Sequence, residues 1–298
     1  MKTITQLALL VALFTSPAIG QELSSIAPPV VEESYLPSYY FNLDFAFVQP
    51  RMKNATVDGD VAFTSKLDWT LAPRFEFGLM NRGAWNPYFG YRGVYSDAYE
   101  SFYEPSIDSF FSLYRSAELH AIDFGVLSDS FCLLSVIKAQ WDFSARLTVA
   151  DFQDRFSSEF VVTDPSYIVA RVRQQFVGAG PRAGMRMELP WRDSGLSLAA
   201  QMDVGIQWGS YRGRVGIESM IDGESGYEEE SASKGGVLWH AGGQLALRYA
   251  PPRYCDRLSF QAGYMYEGWF SKDLGLFEGA NFGRFDYHGP FFRVEWRY

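Results

Sequence analysis

Three histidines, two cysteines and a scatter of carboxylates are the residues of this 298-residue chain with the means to do chemistry. His120, His240 and His288 share no short ligand spacing, and Cys132 and Cys255 form no Cys-x-x-Cys, so no structural zinc site is written into the sequence. One constellation has catalytic residue types. Asp286-Tyr287-His288 puts an acid and an imidazole on one face of an extended chain, and Asp58-Gly59-Asp60 supplies two more acids. Two acids and an Asp-His couple can activate water for peptide hydrolysis. Asp-Gly-Asp is equally a turn sequence. Glu218, Asp222, Glu224, Glu228, Glu229 and Glu230, with Lys234 nearby, form an acidic run. It reads either as a divalent-cation site or as a solvated loop.

The elements that must position these groups are strands. In the last nine residues Pro290, Phe292, Val294, Trp296 and Tyr298 share one parity, and Phe291, Arg293, Glu295 and Arg297 share the other. A strand sends alternate side chains to opposite faces, so one face here is apolar and the other mostly charged. The same alternation recurs upstream, making about ten segments in all. They fall near 39–49, 63–80, 85–97, 113–127, 134–151, 168–189, 195–213, 236–250, 257–270 and the carboxy-terminal stretch. The fourth changes parity between His120 and Asp123, which predicts a bulge, and Pro181 predicts a bulge or kink in the sixth.

Connections after the even-numbered segments are short and those after the odd-numbered ones are long. Transmembrane β-barrels pair short periplasmic turns with long external loops and use an even strand count. The expected fold is therefore all-β: an antiparallel up-and-down membrane barrel of about ten strands, with eight to twelve as the range. Residues 1–20 read as a secretory signal, with Lys2, the apolar run Leu7 to Phe14 and small residues at Ala18-Ile19-Gly20. Residues 21–37 read as a proline-bearing periplasmic lead-in and 38–298 as the barrel. No later stretch has the ~18 continuous apolar residues of a spanning helix. Aromatic content of 17% suits interfacial girdles, and a net charge of -9 argues against a nucleic-acid partner. Cys132 and Cys255 fall in turns at one end of the barrel, several strands apart, and their pairing stays open.

The inward parity collects charges of both signs. Lys66, Arg74, Arg92, Lys138, Arg146, Arg171, Arg173, Arg186, Arg248, Arg293 and Arg297 stand against Asp44, Asp68, Glu76, Glu118, Asp123, Asp142, Glu188, Asp203, Glu267 and Glu295. They read either as a polar channel lining or as paired charges that fill a small barrel. The residues expected to line a pore are Lys138, Asp142, Arg146, Arg171, Arg173, Arg186, Asp203, Arg248, Arg293, Glu295 and Arg297.

Several stretches carry a family resemblance. Phe176-Val177-Gly178-Ala179-Gly180-Pro181-Arg182-Ala183-Gly184 resembles the Gly-x-Gly-Pro-x-x-Gly centre of the Legionella-type major outer membrane family of pore-forming proteins, which has many planctomycete members. Glu118 to Asp123 followed by Trp141 to Arg146 resembles its hairpin of an acid on one strand and Gly-x-Arg-Tyr on the next; Ser144-Ala145-Arg146-Leu147 departs from it. Ala262 to Trp269 and His288 to Phe292 resemble its last two strands. The resemblance implies a bacterial outer-membrane barrel of the pore-forming kind, with lipid as its surroundings, no cofactor and no catalytic residues to carry over. Three functions stand as expectations: a narrow passive channel for ions or small polar solutes, a non-conducting structural or adhesion barrel, and a surface protease resembling the ten-stranded omptins. Oligomeric state is not legible.

Overall fold

A computed structural model describes residues 38–55, 63–80, 84–105, 108–133, 136–160, 166–191, 194–221, 224–252, 257–271 and 281–298. The expected signal and lead-in, Asp58 and Asp60, Asp222 and Cys255 lie outside the described residues. The strands are β1 (Ser38–Ala55), β2 (Phe63–Lys66), β3 (Thr70–Met80), β4 (Trp85–Glu104), β5 (Ser109–Ser128), β6 (Phe131–Leu133), β7 (Ile137–Phe160), β8 (Ser166–Pro190), β9 (Leu196–Ile221), β10 (Glu224–Tyr249), β11 (Leu258–Phe270) and β12 (Asn281–Arg297).

Every neighbouring pair is antiparallel, and β12 pairs back onto β1 from Tyr40 opposite Arg297 to Ala55 opposite Asn281. The sheet is therefore closed and has no free edge. β2 lies along β1 above β3, and β6 lies along β7 beyond β5, so the twelve strands make a ring of ten staves. Ten is the count the alternation predicts.

Why these segments form a barrel is visible in their outward faces. On β9 the even positions Leu196, Leu198, Ala200, Met202, Val204, Ile206 and Trp208 are all apolar, and the next ones outward include Arg212 and Arg214. On β10 the outward apolar face runs from Tyr249 to Trp239, ten residues apart. That is ~33 Å along the strand and ~25 Å of height at a tilt of ~40°, the apolar band of an outer-membrane barrel. Phe41, Phe45, Leu71, Phe77, Phe143, Leu147, Met202, Val204, Leu245 and Phe292 are exposed on this belt. In lipid each is at home; in water they would form an aggregating surface.

The strands run further outward than their alternating segments. β7, β8, β9 and β10 are 24, 25, 26 and 26 residues long. Much of the long connections after β4, β7 and β9 is thus built as continued hairpin above the belt. The acidic run from Glu218 to Glu230 belongs to the β9–β10 hairpin, where Glu218 bonds Arg171 and Glu229 bonds Arg214.

Two expected bulges are absent. β5 pairs with β4 and with β7 in unbroken register, so Glu118 and His120 share the outward face while Asp123 points inward. β8 keeps its register with β7 through Pro181. Its ladder to β9 resumes from Ala179 opposite Trp208 to Arg182 opposite Gly205 without a shift. Pro181 costs the ladder local pairing, which fits its missing N–H. Beside it the strands close up: a Cβ on Gly180 would sit 2.0 Å from the Ile206 carbonyl oxygen.

This unbroken parity corrects three inward assignments. With no bulge between Gln175 and Met185, Arg171 and Arg173 stand on the outer face, opposite in parity to buried Gln174, Phe176 and Arg182. Glu118 stands outside for the same reason, bonded to His120 at 2.7 Å. Lys66 and Asp68 are exposed as well, for the opposite reason: the strand breaks between Lys66 and Thr70, and buried Leu67 takes the inward place.

Candidate functional site

The interior of the ring divides into three levels. At the end where Tyr40 pairs with Arg297 lies a vestibule of about 330 Å³, whose lining includes Lys138, Arg186, Glu188, Arg248, Glu295 and Arg297. Arg248 donates to Glu188 at 2.9 Å and to Glu295 at 3.1 Å, and Ser259 and Gln261 each donate to Glu295 at 2.6 Å.

Above it the lumen is crossed by a layer of ion pairs. Arg293 binds Asp44 through Nε and Nη2, both at 2.6 Å. Arg186 spans to Glu76 at 2.7 and 2.6 Å, across 110 residues of sequence. Arg182 donates to Asp203 at 3.0 Å and to Asp142 at 3.1 Å, and the Tyr88 hydroxyl donates to Asp142 at 2.5 Å. Arg146 binds Asp123 at 2.7 and 2.9 Å. Arg92 joins Asp123 at 3.2 Å to Glu267 at 2.5 Å, and Arg74 and the Tyr287 hydroxyl close on the same Glu267. Six arginines thus meet six acids: Arg74, Arg92, Arg146, Arg182, Arg186 and Arg293 against Asp44, Glu76, Asp123, Asp142, Asp203 and Glu267. His240 lies 3.1 Å from Asp203 and 3.6 Å from Glu267.

The physical logic is charge balance. An isolated ion in this interior costs several kcal/mol of lost hydration, and only a well-placed partner with further hydrogen bonds offsets it. Each carboxylate of the layer has an arginine. The staves bring together residues 21 to 249 positions apart in sequence, as in Arg182–Asp203 and Arg293–Asp44.

The third level is apolar. Val48, Met52, Leu67, Val94, Leu119, Phe176, Tyr211, Leu238, Met265, Trp269 and Phe285 are buried together inside the outward half of the ring. Phe176 and Tyr211 lie 4.6 Å apart between ring centres, Phe152 and Phe285 5.2 Å, and Trp269 and Tyr287 5.5 Å. Cavities within the ion-pair layer and this roof measure about 30 and 20 Å³, each room for about one water. A barrel of this size is nearly filled by its own side chains, and here charge fills the middle and hydrocarbon the top.

The expected pore residues therefore divide. Asp142, Arg146, Arg186, Asp203 and Arg293 belong to the ion-pair layer, and Lys138, Arg248, Glu295 and Arg297 to the vestibule. Arg171 and Arg173 are brought to neither. Sequence reasoning missed Arg182, Tyr88 and Tyr287, and it missed the whole apolar roof. The signal for the roof was present: on the outward halves of β1, β8 and β12 the inward parity turns apolar, as at Val48 and Met52, at Phe176, and at Phe285 and Tyr287.

The hydrolytic constellation does not assemble among the described residues. Asp286 is 2.6 Å from Arg284 Nε, and the His288 ring nitrogen Nδ1 meets the Tyr264 hydroxyl. Both have the outward parity, opposite to buried Phe285 and Tyr287, and Asp286 is buried there among its neighbours. Cys132 is an exposed free thiol on β6.

A closed antiparallel ring with an apolar belt and an ion-paired interior is a bacterial outer-membrane β-barrel. The family described as Legionella pneumophila major outer membrane protein precursor matches residues 138–298. The chain belongs to that family. A search of curated protein sequences finds no match. Among solved structures, the chain is similar to the toluene transporter TodX of Pseudomonas putida, at 8% identity and a TM-score of 0.31 over 88% of this chain and 89% of that one. It is similar to a major outer membrane protein of Thermus thermophilus, at 9% identity and 0.31 over 89% and 100%. It is also similar to Ail, the attachment invasion locus protein of Yersinia pestis, at 12% and 0.27 over 88% and 99%. At these scores nothing passes from those proteins to this chain.

Proposed function

We propose that this protein is a closed, non-enzymatic barrel of the outer membrane whose role is structural: it spans the bilayer and raises tall hairpins above it. One observation carries the reading. The lumen is crossed by six paired arginines and acids and roofed by packed side chains from Val48 to Phe285. An ion entering the vestibule meets salt bridges already satisfied and, above them, a dry layer that repels it. The hairpins β7–β8 and β9–β10 then present side chains such as Ile217, Ile221 and Tyr227 to the outside.

The test is single-channel recording of the refolded protein in a planar bilayer. A silent bilayer, with folding verified by heat-modifiable gel mobility, is the expected result. Discrete steps from the wild-type chain overturn it.

The second reading is a narrow passive channel for ions or small polar solutes. The polar vestibule of about 330 Å³ favours it, because a purely structural barrel has no need of a solvated entrance. That channel would have to open by parting pairs such as Arg146–Asp123, and the recording above separates the two.

A further inference from the structure

Immediately above the apolar belt, the outer wall of β7, β8 and β9 carries arginines in an arrangement that is unfavourable as it stands. Unbroken register places Arg155 directly opposite Arg171, and Arg173 directly opposite Arg214. Arg212 stands on the same face, opposite Gln175. Like charges facing each other across neighbouring strands repel. A chain with a net charge of -9 has no general excess of cations to scatter here.

The acids nearby answer only part of this charge. Arg173 grips Asp151 with Nε at 3.1 Å and Nη2 at 2.5 Å, Arg171 reaches Glu218 at 3.1 Å, and Arg214 reaches Glu229 at 3.0 Å. Arg155 and Arg212 are exposed and have no ionic partner among the described residues. Two of the five arginines are thus without an ionic partner among the described residues, although Glu118, opposite Asp151, and Glu159 add two more acids to this face.

Height decides what the surplus can meet. Arg155 is six residues beyond Val149, and Arg212 four beyond Trp208, both exposed apolar residues of the belt. Four to six residues are ~13–20 Å of strand, or ~10–15 Å of height at the tilt of such barrels. This is the upper edge of the headgroup layer and the level just above it, where the sugars of a glycolipid headgroup stand. Guanidinium groups bind phosphate bidentately, and acyl chains of the same molecule would lie on the belt directly below.

We propose that this wall is a binding site for a phosphorylated glycolipid of the outer leaflet. Its phosphates bridge Arg155 and Arg212 and relieve the repulsion across the strands, while its acyl chains pack on Val149, Val177 and Trp208.

The test uses the full chain refolded in detergent and titrated with diphosphoryl lipid A, the bound lipid being counted by native mass spectrometry. The wild type binds the lipid. Arg155→Gln combined with Arg212→Gln weakens binding at least about tenfold, with heat-modifiable mobility retained. Arg257→Gln, which removes an exposed cation at the opposite end of the barrel, binds as wild type does. Lipid stripped of its phosphates does not bind, and millimolar inorganic phosphate does not displace the diphosphoryl form. Binding by the double variant equal to wild type, or equal binding of the phosphate-free lipid, overturns the proposal. Displacement by inorganic phosphate also overturns it and makes the wall a site for soluble anions.

Discussion

Strand β7 takes part in arginine–carboxylate pairs on both of its faces, with β5 inside and with β8 outside. Inside, Arg146 and Asp123 leave 0% and 3% of their side chains exposed; outside, Arg173 and Asp151 leave 51% and 14%. Distances barely separate the two pairs, at 2.7 and 2.5 Å. Environment separates them. The outer pair can exchange its partner for water at little cost, whereas the inner pair has beside it room for about one water. Identical chemistry is thus a fixed strut on one face and a replaceable contact on the other.

The sharpest break of this comparison is Asp123→Asn. It strands Arg146 inside the ring and leaves Arg92 with Glu267 as its one acid, and a loss of ~3–5 kcal/mol is expected, read by urea unfolding of the protein in vesicles. A loss under about 1 kcal/mol would mean that water reaches Arg146 and the layer is not dry.

Trp269→Ala is expected to cost a similar ~3–5 kcal/mol by opening a hole in the roof. Because the ion-pair layer lies beneath, the planar bilayer should stay silent. Conductance steps in this variant would place closure in the roof alone.

Gly180→Ala comes next. Its Cβ would press on the Ile206 carbonyl oxygen, so the strands must part, at ~1–3 kcal/mol. An unchanged unfolding midpoint would contradict the close approach at the Gly-Pro step.

Arg173→Ala should cost no more than ~1 kcal/mol, and the difference from wild type should fade between low and high salt. An effect as large as that of Asp123→Asn would erase the distinction between the faces.

Much of the fold is legible in the pattern. Outward residues such as Phe41, Leu71, Phe143 and Leu245 alternate with inward Asn42, Arg74, Asp142 and Gln244, because a strand between lipid and lumen must change polarity at every residue. Even strand count and family follow from that pattern and from the Gly178 to Gly184 motif. The two faces of β8 are misread at one point. A bulge at Pro181 would swap every side chain beyond it to the other face, and on that pattern Arg171 and Arg173 belong in the lumen. A proline tolerated without a register shift leaves no mark in the sequence.

What the sequence determined by itself is parity: which side chains face lipid, which face inward, and that the inward set is charged with both signs. Partners were decided only by the closed ring. Asp44 meets Arg293 across 249 residues because β12 returns to β1, and Glu267 gathers Arg74 and Arg92 from staves on the other side of the closure. Local pattern acts over a few residues and fixes faces. Pairs such as Arg146–Asp123 need only the register of two adjacent staves, but the long-range matches depend on stave order and stagger around the ring, and those exist only once the sheet has closed.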